Sequence, residues 1–141
     1  MLKAADKTVY LGGNIGAPLL PLTDQMNPED FAVVELSSFQ LMSMRRSPDI
    51  AVVTNLSPNH LEEYIDAKKN ILLHQNGLSR SILNLDNSIT ASFAPLTRGD
   101  TLFFSRKQPV DSGAYAAPDG TLYLSRNGQK TEVMKESDIL I

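Results

Sequence analysis

The chain contains no cysteine. That excludes disulfide staples and thiolate chemistry and is compatible with a cytosolic home. It has no basic excess either: 13 Lys and Arg stand against 16 Asp and Glu, for a net charge of -3. The electrostatic case for a nucleic-acid or anionic-membrane partner therefore fails. No apolar run approaches the roughly 18 residues that cross a bilayer. The opening residues Met1-Leu2-Lys3-Ala4-Ala5-Asp6 lack the apolar core of a signal peptide. Internal repeats and low-complexity tracts are also missing. What remains is 141 residues, 42% hydrophobic and 21% charged, enough for one hydrophobic core and too apolar for disorder. The expectation is a soluble, cytoplasmic single domain.

Three short apolar runs carry the front half: Lys7 to Leu11, Phe31 to Leu36 and Ile50 to Leu56. Each is rich in β-branched or aromatic residues and short enough for a strand. The second and third are almost continuously apolar, which predicts strands covered on both faces. Each run ends in small or polar residues, at Gly12-Gly13, Ser37-Ser38 and Ser57-Pro58. Open α/β sheets place their ligands at such strand ends. Between Glu62 and Gln75, Tyr64, Ile65, Lys68, Ile71, Leu72 and Gln75 recur at helical spacing. Ser81 to Asp86 and Thr101 to Ser105 read as further strands, with a short helix from Ser88 to Ala94 between them. Beyond the loop Gln108 to Gly113, turn signals at Pro118-Asp119-Gly120 and Asn127-Gly128 predict a small antiparallel meander over 114–134. The predicted fold class is α/β, a mainly parallel sheet flanked by helices with that meander attached.

Four segments at strand ends bear polar chemistry. Gly12-Gly13-Asn14-Ile15-Gly16 is either a plain strand-exit turn or a backbone shaped to approach a ligand, with Asn14 offering a donor and an acceptor. Glu35 sits inside an apolar run, where a carboxylate needs water, an arginine or a cation. Ser37, Ser38 and Gln40 after it suit either a polar pocket or a helix cap. His60 follows a strand end and suits a metal, a substrate or an ordinary surface position. Lys68 lies on a largely apolar helix face, where its stem can snorkel or its amine can become neutral and reactive. The second histidine, His74, has no polar cluster around it and reads as structural.

Taken in order, these segments resemble the Mur ligase family. The resemblance is carried by Leu11-Gly12-Gly13-Asn14-Ile15-Gly16 with Pro18-Leu19-Leu20, by Val34-Glu35-Leu36-Ser37-Ser38-Phe39-Gln40-Leu41, and by Asn55-Leu56-Ser57-Pro58-Asn59-His60-Leu61. Tyr64-Ile65, Ala67-Lys68 and Ile71 continue it, as does Leu83-Asn84-Leu85-Asp86. Asn59 stands where many members carry Asp. The Ser-Ser-Phe-Gln run points to the D-glutamate-adding branch. Another branch, or folylpolyglutamate synthase, is the alternative within the family; a non-catalytic α/β ligand-binding module is the alternative outside it.

The resemblance implies a two-step amide synthesis. ATP phosphorylates the carboxylate of UDP-N-acetylmuramoyl-L-alanine, and the amine of D-glutamate attacks the acyl phosphate, with Mg2+ neutralising the phosphates. It implies Glu35, His60 and a carbamate on Lys68 as metal ligands, with Lys68 and His60 catalytic. It implies Asn14, Ser37, Gln40 and His60 as substrate contacts. It further implies a central ATPase domain that is partial over 1–141. The Gly-Lys-Thr phosphate loop, the UDP-binding domain and the C-terminal domain lie outside these residues, so no cofactor-binding loop is assigned and the chain alone is expected to be inactive. The family also carries several more residues between positions 61 and 62. That predicts either an omitted loop there or a deletion.

Overall fold

The computed structural model describes residues 1–57 and 62–139. Among these described residues, eight strands and three α-helices follow the expected α/β order. Strands β1 (Val9–Gly13) and β2 (Phe31–Glu35) pair in parallel, with Gly13 opposite Glu35. Helix α1 (Ser38–Met42) follows β2 at once. A second sheet holds β3 (Ile50–Val53), β4 (Arg80–Asn84), β5 (Asp100–Ser105), β6 (Gly113–Ala116), β7 (Thr121–Arg126) and β8 (Gln129–Lys135), in that spatial order. The ladders from β3 to β6 are parallel and those from β6 to β8 antiparallel, so the meander is fused edgewise to the parallel layer. Helix α2 (Glu62–Leu73) links β3 to β4, and α3 (Ser88–Ala91) links β4 to β5.

Ala51 and Val53 of β3, Leu83 of β4, Leu56, Leu72 of α2 and Phe93 form the core, with Ile65 and Ile71 of α2 packed against it. These residues follow from the period-2 pattern of the strands and the three- and four-residue spacing of the helix. Gln75 is buried just beyond α2 and is fully bonded. Its Oε1 accepts the Ser81 hydroxyl at 2.6 Å, and its Nε2 donates to the Arg80 and Pro48 carbonyls at 3.2 and 3.4 Å. The β7–β8 turn is Asn127-Gly128, with φ of 51° and 77°. Two positive φ values in a two-residue loop match the right-handed twist of the hairpin.

Three details depart from the sequence reading. The parallel strands form two groups, β1-β2 and β3 to β6, because β2 and β3 do not pair among the described residues. β3 ends at Val53, since Leu56 turns inward to the core. The two-sided burial expected of the second and third runs does not occur. In β3 only Ala51 and Val53 are covered, while Ile50 and Val52 are about half exposed, and Val33 and Val34 of β2 are similarly open. Ala51 and Val53 lie on the face that packs with α2, so continuous hydrophobicity here outruns the cover that the described residues supply.

Candidate functional site

Glu35 is the last residue of β2, and its neighbour across the ladder is Gly13. Gly13 has φ of +108°, and a Cβ placed on it would stand 2.2 Å from the Glu35 carbonyl oxygen. Only glycine permits the two strands to close so tightly there. The turn brings Asn14 onto Glu35 twice. The Asn14 backbone N–H donates to the Glu35 carbonyl at 2.7 Å, and Asn14 Nδ2 donates to Glu35 Oε1 at 3.1 Å. Glu35 is solvent-exposed.

Ser37 and Gln40 form a capping box at the start of α1. The Ser37 Oγ accepts from the Gln40 backbone N–H at 3.3 Å, and Gln40 Oε1 accepts from the Ser37 backbone and hydroxyl at 2.8 and 2.9 Å. The capping role weighed for these residues is therefore real. It follows from the Ser-x-x-Gln spacing, in which each side chain satisfies a backbone donor of the first turn.

Helix α1 docks on α2. The Phe39 and Tyr64 rings meet edge to face with centroids 5.7 Å apart. Asn70 Nδ2 donates to the Leu41 carbonyl at 2.9 Å. Ser47 Oγ donates to the Asn70 carbonyl at 3.0 Å and accepts the His74 backbone N–H at 3.0 Å. This carries the end of β2 to the helix bearing Lys68, which lies one turn beyond Tyr64 and is half-buried. Its neighbour Lys69 is held by Asp66 at 2.6 Å. His74 is exposed, and its backbone N–H takes part in this docking. His60, and the junction of positions 61 and 62, lie outside the described residues.

At the C-terminal end of the larger sheet the sequence reading missed a polar cluster. Asn84 Nδ2 donates to the Thr54 carbonyl at 2.8 Å, and Asn87 Nδ2 donates to Asn55 Oδ1 at 2.6 Å and to the Leu56 carbonyl at 2.8 Å. Asp86 accepts from the Ser105 hydroxyl at 2.6 Å and the Arg106 backbone N–H at 2.7 Å. Partial burial pushes the Asp86 carboxyl up. The Ser105 and Arg106 hydrogen bonds and the charges of Lys107 and Arg106 outweigh it and hold the group below its ordinary value. The Asn-Leu-Asp-Asn run at 84–87 was the available signal.

Residues 1–140 match the Mur ligase middle domain. The chain belongs to the Mur ligase family. It is 47% identical over 148 residues to the UDP-N-acetylmuramoylalanine--D-glutamate ligase of Acetivibrio thermocellus, a match covering 100% of this chain and 31% of that enzyme. It is 46% identical over 148 residues to the enzyme of the same name from Clostridium acetobutylicum, with the same coverage. Both alignments are longer than the 141 residues of this chain, so these relatives carry residues that it lacks. This Mur ligase segment thus spans about a third of the length of the curated relatives it matches. Among solved structures, it resembles the MurF ligase of Thermotoga maritima in complex with ADP, with a TM-score of 0.60 and 21% identity over 94% of this chain and 35% of that one. It also resembles a pseudomurein peptide ligase type C from Methanothermus fervidus, with a TM-score of 0.54 and 15% identity over 90% of this chain and 41% of that one. These two likenesses bear out the α/β fold.

Proposed function

We propose that the protein carrying this segment is an ATP-dependent carbon–nitrogen ligase of the cytoplasm. It adds D-glutamate to UDP-N-acetylmuramoyl-L-alanine in peptidoglycan synthesis, through an acyl phosphate. The observation that carries this reading is the 47% identity, across the whole chain, to an enzyme named for that substrate and that amino acid.

Magnesium with ATP would supply the phosphoryl group and neutralise its charge. Among the described residues no group of three or more His, Cys, Asp or Glu is placed to hold a metal. The donor set nonetheless suits magnesium, which binds through one or two carboxylates together with phosphate oxygens and water. Glu35 offers one such carboxylate, exposed at a strand end, whose Oε2 makes no hydrogen bond among the described residues. His60 and Lys68, the latter as its carbamate, are the proposed companions. The Lys68 amine makes no ion pair with any described residue, in contrast to Lys69. In such a carbamate the neutral Lys68 amine would have added to carbon dioxide, an N–C bond forming as one C=O π bond opens onto oxygen and the nitrogen losing a proton to solvent, which would leave an anionic oxygen donor. Asn14, Ser37 and Gln40 are the proposed contacts to the muramoyl substrate. Gln40 has its Nε2 left for that purpose, since the cap uses only its Oε1.

The test is ligation by the full-length protein, read as phosphate released on mixing ATP, Mg2+, UDP-N-acetylmuramoyl-L-alanine and one amino acid. Release with D-glutamate but not with L-lysine, D-alanyl-D-alanine or L-glutamate is expected. Release with another of these, or none with any, would refute the substrate assignment.

A further inference from the structure

Asn14 holds Glu35 at two points, one on the main chain and one on the carboxylate. We infer that Asn14 is a positioning residue for the cation site: it fixes Glu35 Oε1 so that Oε2 is presented to the metal. This rests on the reading of Glu35 as a metal ligand.

An exposed glutamate samples many rotamers, and a metal ligand must give that freedom up. Glu35 has no arginine or lysine within ion-pair distance among the described residues. Its described side-chain restraint is Asn14 Nδ2 at 3.1 Å. A neutral amide suits this task, since it orders the carboxylate without competing for its charge as a guanidinium would. The bond also has a rigid base. The Asn14 amide nitrogen lies 2.7 Å from the Glu35 carbonyl, and the preceding Gly13 closes on Glu35 where no Cβ would fit. The donor therefore starts from a backbone already docked on the residue it orients. Hydrogen-bonding partners of metal-ligating carboxylates tune metal affinity in the same way elsewhere.

The experiment uses full-length protein and Mn2+ with ADP, with free Mn2+ read by electron paramagnetic resonance. Asn14→Ala is expected to weaken Mn2+ affinity about 10-fold. Asn14→Leu, close in size but without a donor, is expected to do the same, and melting curves check that both variants fold. Glu35→Gln is expected to weaken it at least as much, and adding Asn14→Ala to Glu35→Gln is expected to cost nothing more. Unchanged Mn2+ affinity in both Asn14 variants would overturn the inference, whatever happens to KM for the muramoyl substrate, which the proposed substrate contact of Asn14 would raise by itself. Additive losses in the double variant, or wild-type affinity in Glu35→Gln, would overturn it too. Failure of the proposed function reads differently, as wild-type protein that binds Mn2+ in an Asn14-dependent way yet does not ligate D-glutamate.

Discussion

Asp86 and Ser105 meet at the ends of adjacent parallel strands, with the Ser105 hydroxyl donating to the Asp86 carboxylate at 2.6 Å. The same Ser105 oxygen accepts the backbone N–H groups of Lys107 and Gln108, both at 3.0 Å. One carboxylate thus organises the turn that leaves β5.

The Asp86 carboxyl titrates below its ordinary value in the folded state. The unfolded chain therefore binds the proton more readily, and the stabilisation is present above the ordinary carboxylate value of 3.8. It is lost as pH falls through the lower folded value. Melting temperature followed from pH 7 to pH 2 should show this loss, and Asp86→Asn should melt lower at pH 7 with a shallower acid dependence. Identical slopes for the two proteins would contradict the assignment.

Gln75→Leu should destabilise the fold by about 1–3 kcal/mol, because it strands the buried Ser81 hydroxyl without its acceptor. Adding Ser81→Ala should recover part of that loss. Urea denaturation of the single and double variants measures both effects.

Leu83→Ala opens a hole at a fully buried position between β4 and α2. Leucine truncations in cores cost about 2–5 kcal/mol. Leu124→Ala, on a residue 54% exposed, should cost far less. Equal losses in chemical denaturation would place the core elsewhere.

Gly13→Ala combines a backbone angle that alanine rarely adopts with a Cβ driven against the Glu35 carbonyl. It should disturb Glu35 and reduce Mn2+ affinity. Gly16→Ala has a φ of +73° but no neighbour within 3.8 Å, so it should spare the cation site while costing some stability. A Gly16 variant that loses Mn2+ as severely would argue against a local effect at Glu35.

The strands were legible because their β-branched runs are short and sharply bounded. Phe31 to Glu35 and Thr101 to Ser105 needed almost no adjustment. The meander was legible through Asp119-Gly120 and Asn127-Gly128, whose turn chemistry is local. How many faces each strand buries was not legible, since Ile50-Ala51-Val52-Val53 reads the same whether one or two layers cover it. At the site, the ends of parallel strands put Glu35 and Asn14 at one edge of the sheet; that the two side chains touch depends on the β1–β2 register, which no local pattern encodes. Ser37 and Gln40 carried two readings, and the cap is one that short-range spacing can reveal. The Asp86 cluster escaped notice because its partners lie on the next strand and the turn beyond it.

β2 is hydrogen-bonded to β1 on one side and to no described strand on the other. Its sequence, Phe-Ala-Val-Val-Glu, holds no lysine or proline to guard that open edge. Edges of this kind act as templates on which another chain can add a strand. In any form of the protein where this edge stays uncovered, solubility becomes a matter of concentration, and self-association should begin at β2 rather than at the meander, whose outer strand β8 carries Lys130 and Lys135.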